Sequence, residues 1–123
     1  MSTRGAQVQL TIEGAAVATA TLEGHASARD FVALLPLKLI LEDYAAMEKV
    51  AMLPRPLTTT ETIAACMPSA GDVSFYVPWG NIAIFYNDGQ LSQGLVRLGR
   101  LDSGLSAIRR KGPMAVTFEL ARE

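Results

Sequence analysis

The sequence predicts a mainly β protein, a closed antiparallel β-barrel of about eight short strands with two short helices capping its ends. Three observations lead there. Residues Gly71 to Asp88 read GDVSFYVPWGNIAIFYND, two runs of β-branched and aromatic residues around Pro78-Trp79-Gly80, which is the pattern of a β-hairpin. Both faces of that hairpin are apolar, so it needs cover on each side, as a barrel wall with something packed against its outer surface has. Val8 to Ile12 and Val116 to Leu120, near the two ends of the chain, share the same alternation. The first and last strands are therefore expected to pair antiparallel and hide an edge.

Taken in order, Val8, Leu10 and Ile12 alternate with polar residues up to Gly14, and Val17 to Leu22 reads as the hairpin partner of that strand. Ser27 and Asp30 have the spacing of a capping box in its aspartate form. Phe31, Leu34 and Leu35 follow at helical spacing and Pro36 stops the segment, so a helix of about two turns is expected, with an apolar side able to close one barrel end. Leu37, Leu39 and Leu41 alternate with Lys38, Ile40 and Glu42 as a third strand; Glu48 to Leu53 is a fourth, after a turn region at Asp43-Tyr44. Pro54, Pro56, three consecutive threonines and Pro68 mark Leu53 to Ala70 as an irregular excursion.

The central hairpin follows, with strands Val73 to Val77 and Ile82 to Tyr86 and a three-residue loop in which Gly80 takes positive φ. That loop sets a register pairing Val77 with Asn81, Phe75 with Ala83 and Val73 with Phe85. Leu95 to Leu101 alternates so that Arg97 and Arg100 fall on opposite faces. Asp102 is expected to cap a short helix carrying Leu105 and Ile108, with Arg109, Arg110 and Lys111 in its last turn and Gly112-Pro113 as its stop.

Composition narrows the function classes. The chain has 123 residues, half of them hydrophobic, enough for one well-filled core, so residues 1–123 are expected to form one domain with an ordered core over about 7–120. A formal net charge of -1 supplies no basic field, which makes nucleic acid and anionic membrane poor partners. No segment has the ~18 uninterrupted apolar residues of a membrane span. The opening MSTRGAQVQ lacks the apolar core of an export signal, and Cys66 is the lone cysteine, so a reducing cytoplasm is the expected home.

Four segments, ARDFVALLPLKLILEDY, EKVAMLPRPL, SAGDVSFYVPWGNIAIFY and GLVRLGRLDSG, occur in an order that resembles the bacterial and archaeal cyclophilin-like family of small uncharacterised proteins. The likeness runs from Val8 to Phe118. It implies a cyclophilin-like barrel with helices at its ends. It does not imply prolyl isomerase activity, because the isomerases resemble one another through an arginine in a Phe-His-Arg motif, and here the only histidine is His25, in Gly-His-Ala. Arg97 could stand in for that arginine, but no motif assigns it the role.

Other chemistry finds little footing. One histidine and one cysteine leave too few ligands for a metal centre, and no metal or cofactor is expected. His25 sits among small residues as a solvated turn residue would, and Ala-Ala-Cys66-Met reads as a small buried hydrophobe rather than a nucleophile. Neither a Walker loop nor a dinucleotide fingerprint is present.

Two constellations remain. Glu42, Tyr44, Glu48 and Lys49 lie where a strand leaves the sheet and returns, a place where carboxylates and a phenol can act as hydrogen-bonding or acid-base groups; a solvated rim with an ion pair is the plainer reading. Trp79, Asn81 and Arg97 combine an aromatic platform, an amide and a cation, with Tyr76 and Tyr86 able to line a pocket or the core. The candidate ligand-binding residues are thus Glu42, Tyr44, Tyr76, Trp79, Asn81 and Arg97, with Arg97 expected to contact Glu42, another acceptor or ordered water in the free protein. The leading expectation is a domain that binds a small molecule or an extended peptide in a groove. An enzyme using Glu42 and Arg97 is the alternative, prolyl isomerisation stands third, and pairing into a homodimer is a further possibility.

Overall fold

The computed structural model describes residues 4–60 and 64–121. Its strands are β1 (Arg4–Ile12), β2 (Ala15–Glu23), β3 (Leu37–Tyr44), β4 (Glu48–Met52), β5 (Ala65–Cys66), β6 (Asp72–Tyr76), β7 (Asn81–Phe85), β8 (Ser92–Gln93), β9 (Leu95–Ser103) and β10 (Met114–Leu120), with helices α1 (Ala26–Val32) and α2 (Leu105–Ile108). Eight of the strands close a barrel in the order β1-β10-β3-β4-β7-β6-β9-β2, and β5 and β8 form a separate two-stranded ribbon. Every barrel pairing is antiparallel, and β1 lies beside β10 with Val8 opposite Leu120 and Leu10 opposite Phe118.

Strand alternation fills the barrel. Val8 and Leu10 from β1, Ala18, Ala20 and Leu22 from β2, Leu41 from β3, Val73 and Phe75 from β6, Ile82 and Ile84 from β7, and Val116 and Phe118 from β10 form one buried cluster. Helix α1 seals one end through Phe31, whose ring meets that of Phe118 edge-on at 5.9 Å. The other end, near the Met114–Leu41 pair, is closed by the segment leaving α2. There Lys49, wholly buried, donates to Asp43 Oδ1 at 2.8 Å and to the carbonyls of Arg110 and Gly112, each at 2.7 Å. Asp43 also accepts from the Tyr86 hydroxyl at 2.8 Å and the Gly112 N–H at 2.7 Å. All three ammonium protons are used, which is the condition for burying a lysine without loss.

Several expectations need correction. The hairpin register is shifted by one residue: Tyr76 pairs with Asn81, Phe75 with Ile82 and Val73 with Ile84. Val77 falls in a four-residue turn, Val77 to Gly80, which the Gly80 N–H closes onto the Tyr76 carbonyl at 2.9 Å. Gly80 does take a positive φ, 69°. Helix α1 is capped by His25, whose Nδ1 accepts from the Ala28 N–H at 3.2 Å. Ser27 is buried within the helix and donates to the Thr58 carbonyl, while Asp30 binds Arg55 and the Thr58 N–H. His25 is accordingly a cap and a tether rather than a solvated turn residue, its Nε2 lying 2.8 Å from the Arg97 carbonyl oxygen.

Asp102 does not cap α2; its carboxylate accepts from the Thr21 hydroxyl at 2.6 Å, and Gly104 is the N-cap at φ 90°. Asp43 and Tyr44 belong to β3, and the turn falls at Ala45-Ala46, both left-handed at φ 56° and 53°. The Met47 N–H closes it onto the Tyr44 carbonyl at 3.1 Å, the geometry of a type I′ turn.

Candidate functional site

The outer face of the wall made by β3, β4, β7, β6 and β9 carries the side chains that alternate away from the core. Ala83, Phe85 and Leu95 form a second buried cluster there, with Val50, Cys66 and Tyr76 packed against it. Cover comes from the β5–β8 ribbon, held by the Ala65–Gln93 and Cys66–Ser92 pairs. Between the ribbon's flanking loops and the wall is a cavity of about 440 Å³, within the size range of small-molecule sites.

Tyr44, Tyr76, Trp79 and Asn81, four of the six candidate residues, line it. Trp79 stays in reach of solvent at 54 % exposure. Its ring stands nearly perpendicular to both tyrosines, with centroids 5.6 Å from Tyr44 and 5.5 Å from Tyr76, an edge-to-face geometry that fixes all three rings. Tyr76 and Asn81 are cross-strand partners at the hairpin end, so the turn that carries Trp79 also delivers them.

Asn81 is 5 % exposed and donates through Nδ2 to the Ile82 carbonyl at 3.1 Å, while its Oδ1 is buried without a hydrogen-bond partner. The amide cannot be turned over to relieve this, because Oδ1 would then face a carbonyl oxygen.

Glu48 is the charged residue of the lining. It sits opposite Tyr44 on β3 and Phe85 on β7, and burial pushes its carboxyl up to about 7, with no opposing hydrogen bond or counter-charge. The neighbouring Lys49 offers no relief, since its ammonium points to the other face and is spent on Asp43, Arg110 and Gly112. Of the two glutamates in the rim group that the sequence offers, Glu48 lines the cavity and Glu42 does not. Tyr86, also weighed as a lining residue, is buried with the core cluster.

Glu42 and Arg97 do not join the cavity. Glu42 is exposed opposite Val50, outside the lining. Arg97 contacts Asp72 and Cys66 rather than Glu42: Nε is 3.4 Å from Asp72 Oδ2 and an amino nitrogen is 3.8 Å from Cys66 Sγ. Arg100 reaches the same Asp72 from 2.6 Å, so the two arginines are on one face rather than opposite faces. The cause is a β-bulge: Val73 pairs with Gly99 but Ser74 pairs with Arg97, leaving Leu98 as the extra residue. Asp72 is wholly buried and accepts from the Ser69 N–H as well. Sequence reading missed it, because Gly71-Asp72 looks like turn punctuation.

No group of three or more metal-ligating side chains occurs among the described residues, and no helix among them is long and apolar enough to cross a membrane. Fold and site together define a cyclophilin-type closed β-barrel with a pocket on its outer wall. The model of the Cyclophilin-like family matches residues 10–119, and the chain belongs to that family. A solved structure of the same fold is the solution structure of the hypothetical protein AF2241 from Archaeoglobus fulgidus, with a TM-score of 0.71 at 19 % identity over 94 % of this chain and 95 % of that one. Among curated proteins none matches.

Proposed function

We propose that the protein is a binding domain that holds a small organic molecule in the outer-wall cavity. The observation that carries this reading is the lining: three aromatic rings in edge-to-face contact beside a half-buried Glu48 carboxyl with no counter-charge. A ligand that brings a hydrogen-bond donor or a counter-charge to Glu48 offsets the desolvation of its carboxylate. Sites of this kind are mostly apolar with a few placed polar groups.

Trp79 is the single tryptophan, so its fluorescence reports on the cavity directly. Titration with a fragment library should give saturable changes in Trp79 emission, lost in a folded Leu95→Phe variant that adds bulk to the cavity lining. Native mass spectrometry of protein purified under mild conditions should show a small copurifying mass. Absence of both signals across neutral, cationic and anionic fragments would remove the reading.

A further inference from the structure

We infer that the ligand is a small organic cation, its charge seated in the corner between the Tyr44 and Trp79 rings and beside the Glu48 carboxylate. This rests on the binding reading above and goes beyond it in fixing the sign of the ligand's charge.

The lining carries charge of one sign. Among the described residues the cavity is bordered by one carboxylate, Glu48, and by no lysine, arginine or histidine. The basic side chains of adjoining segments are held elsewhere, Lys49 at the barrel end, Arg97 on Asp72 and Arg109 on the Tyr86 carbonyl. An anion would bring a second negative charge beside Glu48 with nothing to offset it. A neutral molecule can give that carboxylate a hydrogen bond but no counter-charge, whereas a cation supplies one.

The placement of the rings agrees. Glu48 and Tyr44 are directly paired across β3 and β4, a relation that sets two Cβ atoms about 5 Å apart on one face. From Tyr44 the aromatic surface continues to Trp79 at 5.6 Å and on to Tyr76 at 5.5 Å, with Trp79 turned 88° and 81° to the two. Two rings meeting edge to face leave a right-angled corner bounded by a face of each, where a cation lies within about 6 Å of both centroids. The Tyr44–Trp79 corner is the one beside Glu48. Both rings keep contact with solvent, at 45 % and 54 % exposure, so a charged ligand enters without full desolvation. Asn81 takes no part: its free Oδ1 is enclosed, and its row of the β4–β7 ladder lies four residues from that of Glu48. Recognition is therefore of charge, and a quaternary ammonium suffices.

The test compares three molecules of nearly one shape and different charge, choline, 3,3-dimethylbutan-1-ol and 3,3-dimethylbutanoate. Binding is read at pH 8 by Trp79 fluorescence and by saturation-transfer proton spectra of the ligand. Choline should bind about tenfold or more tighter than the alcohol, and the carboxylate should not bind. Glu48→Gln should weaken choline about tenfold and leave the alcohol unchanged. Trp79→Leu, at an exposed turn position, is a second variant read from the ligand spectra and should also weaken choline.

Because the charge of choline is fixed, its affinity should rise as pH goes from 6 to 8 and Glu48, held near 7, ionises. The ionisable groups facing Glu48 from neighbouring elements are Tyr44 on β3, Tyr76 on β6 and Tyr86 just beyond β7, while Asp43 and Lys49 meet each other at the barrel end. The Glu48→Gln profile, which should be flat, separates its titration from theirs. The alcohol or the carboxylate binding as tightly as choline, or choline affinity unchanged in folded Glu48→Gln, would overturn the cation assignment while leaving the cavity a binding site. Silence from all three probes together with the fragment library would overturn both.

Discussion

Replacing Lys49 with methionine should destabilise the protein by about 2–4 kcal/mol, because two backbone carbonyls lose their donor at about 1–3 kcal/mol each. Methionine preserves the apolar stem and volume but brings no proton to Arg110 O and Gly112 O, which now receive one each at 2.7 Å. Asp43 is a smaller part of the loss. Its side chain is 30 % exposed and keeps the Tyr86 hydroxyl and Gly112 N–H, so water can replace the ammonium. Release of the buried charge offsets some of the loss, which holds the figure below that of a sealed ion pair. Urea unfolding measures it: the midpoint should fall by about 1–2 M with the slope unchanged. A loss under about 1 kcal/mol would show that the segment after α2 rearranges to hydrate its carbonyls and that the lysine does not hold the barrel end shut.

The same network predicts acid behaviour. Lys49, then the Gly112 N–H and the Tyr86 hydroxyl, lower the Asp43 carboxyl from its ordinary 3.8 to about 2. A depressed acid contributes stability that is complete above its unfolded value and is lost as pH falls through the folded one, so wild-type stability should drop between pH 4 and 2, and less so in Lys49→Met. Glu48 has the opposite sign. Its carboxyl is raised from 4.5 to about 7 by burial, which favours the folded state below pH 4.5 relative to its neighbourhood above pH 7, so Glu48→Gln should leave thermal stability unchanged at pH 4 and raise it at pH 8. Ala46→Gly relieves a left-handed alanine and should stabilise by about 1 kcal/mol in thermal unfolding; an unchanged midpoint would mean the turn carries no strain. Gly80→Val should cost on the order of 1 kcal/mol or more. Since a Cβ there meets nothing within 4 Å, Gly80→Asn should restore most of the loss. Activity on a proline tetrapeptide should be at background, and a rate like that of authentic cyclophilins, abolished by Arg97→Ala, would reverse that expectation.

The barrel was legible because its strands are short alternating runs bounded by turn residues, and alternation is local information. Val8, Leu10 and Ile12, then Leu37, Leu39 and Leu41, and finally Val116 and Phe118 face the core as their pattern demands, whereas Leu120, next in the alternation, is exposed. What the pattern could not carry was long-range. Val77 reads as the last strand residue, but the Gly80 N–H closes the turn on the Tyr76 carbonyl while the Val77 N–H goes to Gly94 on the far side of β6, and the hairpin register moves by one. Ser27 has the spacing of a cap, but Thr58 claims its hydroxyl. The β9 bulge brings Arg97 and Arg100 to a shared Asp72, and no local periodicity encodes an extra residue. The aromatic part of the site was visible for the converse reason: Tyr76, Trp79 and Asn81 all belong to one hairpin end. Glu48 was named, but its isolation from every cation depends on where Lys49 points, which only the packing decides.

The β5–β8 ribbon has a consequence for motion. It is joined by two residue pairs and tied to its surroundings by a few bonds, among them Gly94 N–H to Ala64 O at 2.6 Å and Gly89 N–H to Pro68 O at 3.0 Å, whereas each barrel strand is bonded along both sides. Amide exchange should therefore be faster in the ribbon than in β7, through openings that leave the barrel intact. A molecule reaching Glu48 and Asn81 then need not wait for global unfolding. Mutations that tighten the ribbon should lengthen the time a ligand stays while barely altering the unfolding midpoint, so that residence and stability become separately adjustable in one small protein.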